Sequence, residues 1–218
     1  AVLATTLWLP DTREAPVQGK ASHEPVAPVL RQPAVRWFFA ALLFHVMSHY
    51  AIYAFLSLYL DARGYSKTMI GLLWGVSVLV EIGWFFWQGR LMGHLSLARW
   101  LMLCGVAMML RMVLTAGAAD WLAALLVAQL LHALTFATHH TTCIALVTHH
   151  FPGRLRGRGQ ALFTVTGYGI GGVTGVLAGG LVATHWGFEA MFAGAALLAL
   201  LGTLCAWRVQ RCEGGAPA

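Results

Sequence analysis

The chain has no asparagine and therefore no N-x-[ST] acceptor for glycosylation. Charge is also scarce: Asp, Glu, Lys and Arg make up 10% of the 218 residues, where soluble domains carry about 25%. So few charges exclude an ordinary water-soluble domain and point to a chain that lives in lipid. Four cysteines, Cys104, Cys143, Cys205 and Cys212, include no C-x-x-C or paired spacing, and three of them sit in apolar runs. A free thiol there behaves as a small hydrophobe, so no disulfide is expected. No G-x-x-x-x-G-K-[ST] string occurs, which removes a phosphate-cradling loop. The formal charge of +6 is dispersed between apolar blocks, with no basic face interleaved with aromatics, so no nucleic-acid partner is expected.

What is present is hydrophobicity, at 59% of the chain, gathered into six blocks. They run roughly over Val35–Leu60, Thr68–Met92, Leu97–Ala116, Trp121–Thr148, Gly159–Thr184 and Phe188–Trp207. Each holds the roughly 20 apolar residues a helix needs to cross the hydrocarbon core. Barrel strands would alternate strictly, and these blocks do not. The expected fold class is therefore an all-α polytopic membrane protein. Residues 1–9 are apolar but too short to span; they read as the end of a preceding transmembrane helix, the chain being part of a longer one. Residues 10–34, with Pro10, Pro16, Pro25, Pro28 and Pro33 among mixed charges, read as a flexible cytoplasmic linker. Residues 35–207 form the six-helix bundle and 208–218 a cytoplasmic tail. A six-helix unit behind a linker has the organisation expected of the second half of a twelve-helix transporter.

Orientation follows from the basic residues. Eleven Lys and Arg fall on the side of the linker, the even-numbered loops and the C-terminus, whereas the other side holds Arg63 and Lys67. The positive-inside rule makes the first side cytoplasmic, in a bacterial inner membrane. Trp37, Trp100, Trp121, Trp186 and Trp207 fall near helix ends, as an aromatic belt would.

The polar residues inside the blocks are the candidates for chemistry. Glu81 sits mid-span, a position that costs on the order of 2.5–3.5 kcal/mol even on lenient insertion scales. At about 100° per residue, Trp74, Ser77, Glu81, Trp84, Phe85 and Gln88 share one face. That stripe reads as a cavity wall carrying a protonatable acid, and alternatively as a structural acid bonded to a neighbouring helix. Arg111 lies in the third block, where it can bind a substrate carboxylate, pair with Glu81 or snorkel outward. His45 and His49 share a face of the first block, and Gln129, His132, His139 and His140 one of the fourth. They read as cavity lining or interhelical hydrogen bonds. His149 and His150 read as solvated. Metal is not expected: H-x-x-H-H clusters fail because Phe136 and Leu146 precede the histidine pairs, and nothing favours a bis-His haem. Gly167, Gly171, Gly175 and Gly179, spaced by four, read as a close helix-packing ladder. Arg154, Arg156 and Arg158 serve topology, with anionic lipid as the other reading.

Three separated strings carry a family resemblance: residues 48–86 (SHYAIYAFLSLYLDARGYSKTMIGLLWGVSVLVEIGWFF), 131–140 (LHALTFATHH) and 157–181 (GRGQALFTVTGYGIGGVTGVLAGGL). In order, they resemble the C-terminal half of the phenylpropionate permease branch of the major facilitator superfamily. The loop GRLMGHLSLAR is similar to that superfamily's second-to-third helix loop in Gly89, Leu91 and Arg99 but lacks its usual Asp. The resemblance implies a proton-coupled symporter of a small organic solute, an aromatic carboxylate such as phenylpropionate, with no cofactor beyond the coupling proton. Its expected partners are the solute, the lipid bilayer and an N-terminal six-helix half. From it His49, Glu81, His132 and His140 match recurrent polar positions; together with the helix faces above, proton coupling is expected at Glu81, His49 and His140, and substrate contacts from Arg111, His49, His132, His140, Gln129, Trp74 and Trp84. Nucleoside transport by the same fold is the alternative, and a membrane haem or metal enzyme or a non-transporting sensor a more distant one.

Overall fold

The computed structural model describes residues 25–214. The expected end of a preceding helix (1–9), residues 10–24 of the linker and residues 215–218 of the tail lie outside the described residues. Inside the linker, a five-residue helix α1 (Ala27–Arg31) has Pro28 in its first turn, and its Val29 and Leu30 pack against the core. Proline suits a helix start because its missing N–H would have no partner there.

Among the described residues five helices are long and apolar enough to cross a membrane: α2 (Pro33–Ala62), α3 (Lys67–His94), α4 (Leu97–Gly117), α5 (Leu122–His150) and α6 (Gly153–Gly214). Their ends have local causes. Pro33 opens α2. The side chains of Ser66 and Ser96 accept the backbone N–H of Met69 (3.2 Å) and Arg99 (3.3 Å), capping α3 and α4. α2 stops at Gly64, whose φ of 83° only glycine adopts without strain. The N–H groups of Gly64 and Tyr65 there close on the carbonyls of Asp61 (2.9 Å) and Leu60 (3.0 Å), a Schellman stop.

α6 is 62 residues long, far more than one crossing needs. Gly187 (φ 86°, ψ 170°) breaks it into two arms. Along the N-terminal arm, Gly167 meets Leu42, Gly175 meets Met47 and Gly179 meets Phe55, so this arm runs parallel to α2. Along the C-terminal arm the order reverses: Phe192 meets Tyr59, Gly202 meets His45 and Arg208 meets Trp37. The helices therefore make six crossings, and the last carries on through residues 208–214 of the expected tail.

The glycine ladder is where α6 and α2 come closest. A Cβ on Gly175 would lie 2.7 Å from the Met47 carbonyl oxygen, and one on Gly171 3.3 Å from that of Leu43. In lipid, where hydrophobic burial cannot drive helices together, such backbone proximity supplies the packing.

The apolar core is split in two. One cluster, at the arginine-rich end, gathers Val35, Phe38, Leu42, Leu146, Phe151 and Val209. The other gathers Ile52, Leu56, Tyr59, Leu73, Met112 and Phe192 at the opposite end. Between them lies a buried polar layer. The opposite end is clamped by Arg63, which bonds Asp120 and also Glu189 (2.6 Å), while Tyr65 donates to the Ala119 carbonyl (2.7 Å). Expected as a topology signal alone, Arg63 thus ties three connections. Trp100 departs from the expected belt: it is buried, and its indole N–H bonds the Met92 carbonyl (3.1 Å). His150 is likewise not simply solvated, for its side chain lies 3.5 Å from Glu213.

Candidate functional site

The polar layer is built on a break in α5. Residues Ala133–Thr138 wind as a π-helix, so the His139 N–H bonds Leu134, five residues back. The Thr135 carbonyl is thereby released from its usual helical partner and accepts His45 Nε2 at 2.8 Å. The Thr135 hydroxyl, on the same residue, accepts Arg111 Nη1 at 2.9 Å. One irregular turn thus joins α2, α4 and α5. A second π segment, Val165–Gly171 in α6, carries Tyr168. Tyr168 shares a 3.1 Å hydrogen bond with His140 Nδ1.

Arg111 is wholly buried and directed inward rather than snorkelling. Nη1 reaches His132 Nδ1 (3.1 Å) as well as Thr135, and Nη2 donates to Gln129 Oε1 (3.1 Å). Ser77 donates to the same Gln129 oxygen (2.5 Å), which fixes the amide's orientation. His132 Nε2 lies 3.2 Å from Glu81 Oε2. A guanidinium can only donate, so His132 Nδ1 must accept and the ring proton must sit on Nε2. His132 therefore points an N–H at Glu81 with a cation behind it. Glu81 reaches Arg111 through this histidine. A buried arginine without its own carboxylate is costly, and Glu81 is the acid that His132 connects to it.

Beside this chain lies an aromatic ledge. Tyr53 and Trp74 stack (6.1 Å between centroids, 7° between planes), and His132 stacks on Phe136 (5.2 Å). Tyr53 is 42% exposed, so the ledge is open while Arg111 behind it is closed. A small cavity of about 20 Å³ is lined by His45, His49, Tyr53, Thr135, His140 and Tyr168. A space of that size holds about one water. His49 Nε2 is buried and has no hydrogen-bond partner among the described residues.

Glu81, Arg111, Gln129, His132 and Trp74 thus come together, with His49 and His140 on the adjoining cavity. Trp84 does not join them; it packs edge-on against Trp100 (6.2 Å). His45 and His139 lie face to face (3.6 Å, 4°), so their ring nitrogens do not converge on one point. Among the described residues no three His, Cys, Asp or Glu side chains are placed to hold a metal ion.

A family model described as the MFS_1 like family matches residues 3–193. The chain belongs to the MFS_1 like family. Among curated relatives, it is 30% identical over 100 residues to a probable 3-phenylpropionic acid transporter of Escherichia coli (strain K12). That match covers 46% of this chain and 26% of the relative, so the chain spans about a quarter of the protein it resembles.

For this MFS_1 like chain, sequence reasoning missed Tyr53, Thr135, Phe136 and Tyr168 as parts of the layer. Tyr53 had a usable signal, standing one helical turn beyond His49. Thr135 and Tyr168 had none, because both depend on π turns that hydropathy does not mark.

Proposed function

We propose that this chain is the solute-handling half of a proton-coupled symporter for an aromatic carboxylate, acting with a second six-helix half rather than as an enzyme. The observation that carries the reading is the Arg111–His132–Glu81 chain opening beside the Tyr53–Trp74 ledge. His132 presents one N–H, backed by a cation, and an anionic oxygen is what it fits. The ionised Glu81 occupies that donor. When Glu81 takes a proton its bond to His132 loses its charge assistance, and a solute carboxylate can replace it while the solute ring rests on the ledge. Proton and anion then bind together, because each lowers the cost of the other. Coupling of this kind is worth typically about 1–3 kcal/mol. The relative's name, a 3-phenylpropionic acid transporter, supports the same class of solute. A nucleoside would use the ledge but bring no anion to the Arg111-backed donor. The arginine-rich end is assigned to the cytoplasm of a bacterial inner membrane.

The test is Glu81→Gln in the complete transporter, reconstituted in vesicles. Proton-coupled uptake is expected to vanish with expression and folding retained. Uptake at the wild-type level with unchanged pH dependence would overturn the coupling role.

A further inference from the structure

The two ends of the bundle treat their basic residues differently. At the end opposite the arginine-rich one, both basic residues have acids: Arg63 holds Asp120 and Glu189, and Lys67 lies 2.5 Å from Asp61. At the arginine-rich end, the guanidinium of Arg208 lies over the rings of Trp207 (5.2 Å) and Trp37 (5.8 Å), and that of Arg211 over Trp207 (4.9 Å). Among the described residues neither arginine has a carboxylate within ion-pair distance. Two exposed cations are thus gathered around one indole with nothing to separate their charges. Both tryptophans are themselves 37% exposed, and aromatic side chains near the ends of membrane helices are enriched at the headgroup level.

We propose that Trp37, Trp207, Arg208 and Arg211 form a binding site for the phosphate of an anionic lipid headgroup. The phosphate oxygens would take the outward N–H groups of both guanidiniums, while the indoles hold the planes of the two groups toward it. The bilayer is the occupant because the site lies on a membrane-crossing helix at its interfacial turn. The inference needs only that the chain spans a membrane, so it stands or falls separately from transport.

The experiment uses the full chain in nanodiscs of phosphatidylcholine, alone or mixed with phosphatidylglycerol, with retained lipid counted by native mass spectrometry. Removing both charges in Arg208→Gln/Arg211→Gln should weaken phosphatidylglycerol retention roughly 30-fold. Arg154→Gln/Arg156→Gln removes equal charge from the same end and should weaken it far less. Trp207→Leu, which keeps every charge, should resemble the Arg208/Arg211 variant, and an unchanged melting temperature in both guards against misfolding as the explanation. Equal losses from the two arginine pairs, or no loss from Trp207→Leu, would overturn the site in favour of diffuse surface charge. Displacement of the lipid by inorganic phosphate would overturn the assignment to lipid.

Discussion

Replacing Arg111 by lysine keeps the charge and removes the geometry. The guanidinium uses two nitrogens to reach three partners, His132, Thr135 and Gln129. A lysine has a single nitrogen and cannot span His132 and Gln129 from one position. A hydrogen bond to a charged group is worth about 1.5–3 kcal/mol in proteins, and membrane measurements run nearer 0.6–1.7. Losing one such bond therefore predicts about 1–2 kcal/mol, a fall of roughly 5–30-fold in apparent affinity. The loss should also be selective. Without Arg111 donating to Nδ1, His132 is free to hold its proton on either nitrogen, and the donor meant for an anion is no longer fixed. Uptake of a phenylpropionate-like acid in vesicles should fall by that factor, and uptake of its neutral amide far less. Measured as solute binding, which does not need coupled uptake, combining Arg111→Lys with Glu81→Gln should give a non-additive cycle, because the two residues act through one histidine. Equal losses for acid and amide, together with simple additivity, would refute the relay and leave Arg111 a packing residue.

Two further predictions concern the scaffold. Gly175→Ala puts a methyl 2.7 Å from the Met47 carbonyl, backbone against backbone, so α6 and α2 must separate. Its melting temperature should fall clearly, whereas Gly71→Ala, with nothing within 4 Å, should match or slightly exceed wild type; equal melts would rule out a close-packing role. Arg63→Met removes the clamp on Asp120 and Glu189, and since all three side chains are partly in solvent the cost is on the order of 1 kcal/mol. Limited proteolysis should then cut first near residues 117–121; an unchanged pattern would deny the clamp.

The six crossings were legible in the hydropathy because a span reports only the transfer of apolar side chains into lipid. The block Leu97–Ala116 and the helix Leu97–Gly117 differ by one residue. The face of α3 was legible in part: Ser77, Glu81 and Gln88 turn toward α5, while Trp84 packs on Trp100 and Phe85 is exposed. What Glu81 would meet was not, because a helical wheel describes one helix and says nothing of which neighbour it faces. The wheel also assumes a constant turn. The π segment at Ala133–Thr138 breaks that assumption in α5, so His132 faces Glu81 and Arg111 while His139 lies against His45. Trp100 differs for a related reason: position near a helix end suggests an interfacial ring, but the last turn of α3 brings the Met92 carbonyl to its indole N–H.

The break at Gly187 reverses the chain within a single residue of non-helical backbone. Almost no polar chain has to be carried through the bilayer between the two arms, so they can enter it together as one helical hairpin instead of one after the other. An epitope or protease site spliced in beside Gly187 would therefore do more than lengthen a loop. It would turn one insertion event into two and give each arm an orientation to find by itself.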